Sequence, residues 1–227
     1  MANNPSKSAF FEINKIYEAE ALESLIKMPN KSIDLAFIDP PYNSGADFGI
    51  SKDNMPEREY ADFMKEVVQQ CLRVSKRGLV AYLDWKNFSL FWHEILPQAE
   101  PIILYKHIGN TLLSDLGITQ CHRAILTTAK ALQPVKSFWD DIETSSDIKQ
   151  DKEQIFKHPA QTPYEAIERI IITFSEEDET ILDPFMGCGT TAVAAKCLNR
   201  NYIGFELNKE YIKTANNRIR SIDEDKC

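Results

Sequence analysis

Asp39-Pro40-Pro41-Tyr42 is the stretch of this chain with the most chemistry in it. The Asp39 carboxylate and the Pro40 carbonyl are hydrogen-bond acceptors. Pro40 and Pro41 lack an N–H and have a restricted φ, so the corner is stiff and its carbonyls are aimed. Tyr42 adds a flat face. Two acceptors and a stacking surface match a planar ligand carrying an exocyclic amino group. The acceptors bind both amino hydrogens and draw the nitrogen lone pair out of ring conjugation, which raises its nucleophilicity toward a methyl group. The plain alternative is a strand ending in a Pro-Pro turn, with Asp39 and Tyr42 on the surface.

A second motif is Asp183-Pro184-Phe185-Met186-Gly187-Cys188-Gly189-Thr190-Thr191. Gly187 and Gly189 allow a ligand to come close to the backbone. Glu206 ends the next apolar run, 23 positions after Asp183, where a carboxylate suits two ribose hydroxyls. A dinucleotide loop of the G-x-G-x-x-G type needs a third glycine, but position 192 is Ala192. Two acids facing a pocket suit a cationic cofactor better than a pyrophosphate, and a sulfonium such as S-adenosylmethionine fits. The alternative is a tight turn and a solvated strand end.

These motifs need a scaffold. Short apolar runs predict strands over Ile33–Ile38, Leu79–Leu83, Ile102–Tyr105, Ala124–Thr127, Thr180–Asp183 and Tyr202–Phe205. Tyr60, Phe63, Met64, Val67, Val68, Cys71 and Leu72 recur at helical spacing between Glu57 and Ser75, with Gly78 placed to turn the chain into the next strand. Thr162-Pro163-Tyr164-Glu165 has the form of a capping box opening a helix. Ala192–Cys197 is helix-compatible, and Asn208 is placed to cap a last helix. Strands alternating with helices predict a doubly wound α/β sheet, and both motifs then fall at carboxyl ends of strands, where such sheets bind ligands. Asn43–Pro56 reads as a mobile loop over the site. Ser137–His158 is polar and irregular, with Trp139 isolated in it.

Bulk properties agree. The 227 residues suffice for one domain, spanning 1–227. No run has the length of a membrane span, and the first residues do not form a signal peptide. The five cysteines are scattered without ligand spacing and read as free thiols in the cytoplasm. The formal net charge of −8 opposes a simple nucleic-acid binder, unless a dimer or a basic face supplies the phosphate contacts.

The two motifs resemble those of the S-adenosylmethionine-dependent DNA amino-methyltransferases, over most of the chain. Asp39-Pro40-Pro41-Tyr42 is similar to the family's catalytic motif. Asp183 to Thr191, with Phe185, Gly187, Gly189 and Thr190, is similar to its cofactor loop, and Tyr202–Glu206 to its ribose-binding strand end. His158-Pro159-x-Gln161-x-Pro163 is similar to the segment lining the methionine end. Glu20-Ala21-Leu22 resembles the Gly-Asp-Ala-Leu element, with Glu20 at the acid's place and Ala19 departing from the glycine. The catalytic motif precedes the cofactor motif by 144 positions, the order of the β class.

This resemblance implies a permuted, Rossmann-like, seven-stranded and mostly parallel sheet with one antiparallel strand. It implies a flipped base in double-stranded DNA as substrate. Asp rather than Ser at position 39 leans toward adenine N6 over cytosine N4. An RNA adenine target and a non-catalytic DNA-binding paralogue are the other readings. None of the cysteines follows a proline, which argues against the thiolate route to cytosine C5. Direct in-line transfer without a covalent intermediate or a metal is therefore expected. Family order places DNA recognition within about 106–157, where Lys106, His122 and Arg123 are candidate contacts. That stretch holds seven Lys/Arg and seven Asp/Glu, so no basic patch emerges. A homodimer, a cognate restriction endonuclease and a second methyltransferase of the same system are the implied partners.

Overall fold

The computed structural model of the protein describes residues 11–45, 53–105, 122–140 and 162–222. Strands β1 (Lys15–Glu18), β2 (Ile33–Ile38), β3 (Ser75–Leu83), β4 (Glu100–Tyr105), β5 (His122–Thr127), β6 (Phe138–Trp139), β7 (Thr180–Asp183) and β8 (Asn201–Glu206) form one sheet. Its order is β1-β8-β7-β2-β3-β5-β4-β6. Only β5 runs antiparallel to its neighbours among these strands. The mostly parallel sheet with one reversed strand thus holds, but with eight strands rather than seven. The additional one is the two-residue β6 on the edge.

Helices α1 (Ala21–Lys27), α2 (Glu57–Val74) and α3 (Trp85–Leu90) cover one face. The helices α4 (Tyr164–Phe174), α5 (Thr190–Cys197) and α6 (Lys209–Arg220) cover the other. The alternation of side chains along a strand feeds both layers. Leu35 and Phe37 of β2 pack with Ile167, Ile170 and Ala194, while Ala36 and Ile38 pack with Met64, Val67 and Val68. Of the apolar stripe expected on α2, Tyr60, Met64, Val67, Val68 and Cys71 are buried, Phe63 and Leu72 are partly buried against the same core, and Val74 joins them.

Four sequence expectations change. Gly78 does not turn the chain after α2, because β3 starts at once at Ser75. It sits at φ +121° beside a shift in the β2–β3 register, and a Cβ there would lie 2.8 Å from Thr128 Oγ1. Thr162 does not cap α4: Pro163 occupies the N-cap with no side-chain bond. Trp139 is fully buried in β6, with the Arg169 guanidinium 4.6 Å from its ring centroid. Cys71 and Cys188 are free and buried as expected, but Cys197 is disulfide-bonded. An odd, scattered set of cysteines carries no pairing signal.

Candidate active site

β2 and β7 are paired through Leu35↔Ile181 and Ala36↔Leu182. From there β2 leads on to β3 and β7 leads on to β8, in opposite directions across the sheet. The crevice at such a switch point is where open α/β sheets bind ligands. Asp39 and Asp183 leave the sheet side by side at this point, although 144 residues separate them in the chain. A cavity of about 380 Å³ opens there. Asp39, Pro40, Pro41 and Tyr42 line it from the β2 end. Asp183, Phe185, Gly187, Thr190 and Thr191 line it from the β7 end, and Glu20 and Glu206 close its flank.

The cavity is acidic, with an apolar majority and several hydroxyls in the rest of its lining. Five carboxylates face it (Glu20, Asp39, Asp53, Asp183 and Glu206), and among the described lining residues there is no Lys, Arg or His. Burial raises the Asp183 carboxyl from 3.8 to about 7; Thr191 and the Phe185 N–H oppose the rise, while the charges of Asp39 and Glu206 add to it. Burial also raises Asp39 to about 6, against hydrogen bonds from Thr162 and Tyr42 and the positive charge of Arg123. Glu206 is shifted up by burial as well. Asp183 and Glu206 are raised with no cation among the causes of their shifts, and Arg123 only partly offsets the rise at Asp39. A cationic ligand supplies a counter-charge, whereas a pyrophosphate would add to the repulsion.

The cofactor loop is built around two of these acids. Asp183 accepts from Thr191 Oγ1 at 2.6 Å and from the Phe185 N–H at 2.9 Å, so it braces the loop as well as facing the cavity. Glu206 accepts from the Gly187 N–H at 2.9 Å and the Asn208 N–H at 2.8 Å. Arg218, on α6, donates to the Cys188 carbonyl at 2.8 Å. Asn208 caps α6 as expected. Gly187 and Gly189 have φ of +52° and +85°. A Cβ at Gly189 would stand 2.6 Å from Ala215 Cβ and 3.0 Å from its Cα. Gly189→Ala therefore combines backbone strain with a clash against α6. We expect it to destabilise the fold by roughly 2–4 kcal/mol in urea unfolding; a loss within error would contradict the packing of this turn.

At the β2 end, Tyr42 donates its hydroxyl to Asp39 Oδ1, and Thr162 donates to Asp39 Oδ2. Thr162 is a site residue that the sequence reading missed. It lies inside the His158–Pro163 segment, but its position before a proline and a helix looked like a cap. Glu20 lines the cavity and also caps α1 through the Glu23 N–H. Arg123, on β5, is close enough to Asp39, Tyr42 and Tyr82 for its charge to oppose their upward shifts. The backbone of His122 belongs to β5. Lys106 and His158, most of the stretch 106–157 and the middle of the Asn43–Pro56 loop lie outside the described residues. The described ends of that loop are tied together, with Gly45 N–H on the Asp53 carbonyl at 2.6 Å and Ser44 N–H on Asp53 Oδ2 at 3.1 Å. No group of three or more metal-ligating side chains occurs among the described residues.

Comparison with known proteins agrees with this geometry. Residues 33–121 and 105–217 match the N6/N4 family model described as DNA methylase. The type II methyltransferase M.HpaI of Haemophilus parainfluenzae is 28% identical over 234 residues, covering 89% of this chain and 73% of that protein. The DNA adenine methyltransferase YhdJ of Escherichia coli K12 is 27% identical over 249 residues, covering 92% and 83%. Among solved structures, the cytosine-N4-specific PvuII DNA methyltransferase superposes with a TM-score of 0.71 at 19% identity, over 93% of this chain and 88% of that one. The M1.HpyAVI–SAM complex gives 0.64 at 22%, over 90% and 98%. These two share the fold. With its two motifs brought together at one acidic cavity, the chain belongs to the N6/N4 family of S-adenosylmethionine-dependent DNA methylases.

Proposed function

We propose that the protein methylates the N6 amino group of adenine in double-stranded DNA, at a specific sequence, by base flipping and direct transfer. The observation that carries this is the shared cavity: an amino-accepting corner and an acid-lined pocket, with no Lys, Arg or His among its described lining residues, open into one space. When bound, S-adenosylmethionine supplies an electrophilic methyl group on a sulfonium. Glu206 takes the ribose hydroxyls. Asp183 and Glu20 face the positive end, and Phe185, Gly187, Gly189, Thr190 and Thr191 shape the loop around it. His158 belongs to the same role by its motif. Asp39 and the Pro40 carbonyl accept the amino hydrogens, and Pro41 keeps the turn stiff. Tyr42 stacks on the base after its hydroxyl leaves Asp39 Oδ1. With its carboxyl at about 6, Asp39 is also suited to take the proton that the methylated nitrogen sheds.

Adenine is favoured by Asp at position 39 and by the likeness to the DNA adenine methyltransferase YhdJ. The cytosine-N4 specificity of the PvuII enzyme makes cytosine N4 the second reading. Several relatives carry type II methyltransferase names, which supports a place in a restriction-modification system, beside an endonuclease or a second methyltransferase. Lys106, His122 and Arg123 remain candidates for DNA contact, and a homodimer would enlarge the grip of an acidic chain on DNA. Expression in a host without DNA methylation, followed by genome-wide mapping of modified bases, tests the reading. N6-methyladenine at one short sequence is expected. N4-methylcytosine in its place would transfer the proposal to the second reading, and an unmodified genome would overturn it.

The raised carboxyls give cofactor binding a direction with pH. A cation favours the ionised acids, so binding lowers their pKa and releases protons. Affinity should therefore climb as pH rises from 6 toward 8, by up to roughly tenfold per unit for each proton released. Calorimetry at pH 6.5 in two buffers of different ionisation enthalpy reads the proton count directly. Proton uptake would contradict the assigned environment.

A further inference from the structure

Three consecutive carbonyls follow Pro40, and each receives a side-chain donor from a helix. Tyr60, on α2, donates its hydroxyl to the Pro41 carbonyl at 2.7 Å. Asn87, on α3, donates Nδ2 to the Tyr42 carbonyl at 2.9 Å. Lys86 donates Nζ to the Asn43 carbonyl at 3.1 Å. Among the described residues, none donates to the Pro40 carbonyl. Tyr60 and Asn87 are themselves buried, at 2% and 4% exposure.

The arrangement answers a problem that the sequence creates. Pro40 and Pro41 have no N–H, so neither backbone nitrogen can tie the corner to the rest of the fold. Their carbonyls are the remaining handles. Pinning the oxygens of Pro41 and Tyr42 fixes the peptide planes that follow Pro40, and with them the direction of the Pro40 carbonyl. The Asn87 amide is itself oriented. Its second N–H goes to Asp84 Oδ1 at 2.9 Å, and the same oxygen caps α3 through the Asn87 N–H at 3.0 Å. Asp84 directly follows β3, which pairs with β2 up to Ile38↔Ala81. The clamp is thus anchored on the strand beside the one that carries the corner.

We infer that Tyr60 and Asn87 are positioning residues that hold the Asp39–Tyr42 corner and leave the Pro40 carbonyl as its open acceptor for the substrate amino group. This rests on the amino-methyltransferase reading of the corner. Neither residue lines the cavity beside the β7 loop, so the inference separates turnover from cofactor binding.

The test uses Tyr60→Phe, which keeps the ring and removes one oxygen, with Asn87→Ala and Asn87→Asp. The last turns a donor into an acceptor facing the Tyr42 carbonyl and Asp84. We expect kcat to fall roughly tenfold or more in Tyr60→Phe and Asn87→Ala, as misplacement of reacting groups does. Asn87→Asp should fall below Asn87→Ala. KM for DNA and the Kd for S-adenosylmethionine should stay at the wild-type values, and the melting temperature of Tyr60→Phe should fall by no more than about 2–8 °C, the cost of one lost hydrogen bond. Wild-type kcat in both Tyr60→Phe and Asn87→Ala would overturn the inference. So would a loss of kcat matched by equal losses of cofactor affinity and melting temperature, which marks a purely structural role. A wild-type protein that transfers no methyl group would instead overturn the reading on which the inference rests.

Discussion

Asp39→Ala is expected to abolish methyl transfer, by at least roughly a thousandfold in kcat, while S-adenosylmethionine still binds. In the proposed reaction the amino group meets only acceptors at the corner, and of these Asp39 is the one that carries charge. On the proposed mechanism its removal would take away the partner of an amino hydrogen and the nearest base for the departing proton. The fold has little reason to collapse, because Asp39 and Tyr42 are only partly buried; Thr162 is buried, and its hydroxyl loses one acceptor. Burial holds the Asp39 carboxyl at about 6 in the free protein, so its replacement also removes a desolvated acid. Single-turnover rates and cofactor affinity, measured on the same preparation, separate the two effects. Retained turnover would remove Asp39 from the mechanism, and lost cofactor binding would make its role one of cofactor attachment.

Asp183→Asn should act in the opposite sense on binding and stability. The charge facing the cationic ligand disappears, which should weaken S-adenosylmethionine binding by roughly 30–100-fold, the value of a charge-assisted contact. The fold should gain. The folded-state carboxyl titrates at about 7 against an ordinary 3.8, so the folded protein binds its proton more tightly than the unfolded chain does. Stability from this group is therefore greatest at low pH and declines as pH rises from 3.8 toward 7. The amide oxygen still accepts the Phe185 N–H, and its NH2 donates to a reoriented Thr191 hydroxyl, without the desolvated charge. At pH 8 and without ligand, the variant should melt roughly 3–6 °C higher, with the gap closing below pH 5. A variant that binds the cofactor normally, or that melts lower at pH 8, would contradict this picture of a site strained by its own acids.

Much of this scaffold is legible from residue order because its strands are buried on both faces. The Ile33–Ile38 run matches β2 end to end, and Thr180–Asp183 matches β7. β3 extends beyond its apolar run through Lys76 and Arg77, since pairing with β2 and the Arg77–Glu179 ion pair at 2.7 Å continue the ladder without hydrophobic side chains. β1 escapes notice because only Ile16 of its four residues is buried. Trp139 looks isolated because its core partners come from distant parts of the chain. Within the site, the acids and glycines announce themselves through motif spacing. The hydrogen bonds of Thr162, Tyr60 and Asn87 do not, for they span 123, 19 and 45 positions and depend on how α2, α3 and the start of α4 dock. Tyr60 is visible in the sequence only as one more member of an apolar stripe.

On the proposed reading, an exocyclic amino group receives a methyl group at the Asp39 corner. Incubation with plasmid DNA and S-adenosylmethionine labelled in its methyl group, followed by digestion to nucleosides, measures it directly. Label in N6-methyl-2′-deoxyadenosine, absent with Asp39→Ala, is the predicted result. Label confined to N4-methyl-2′-deoxycytidine would contradict the adenine assignment. Label in 5-methyl-2′-deoxycytidine, or label undiminished by Asp39→Ala, would contradict the chemistry assigned to the corner.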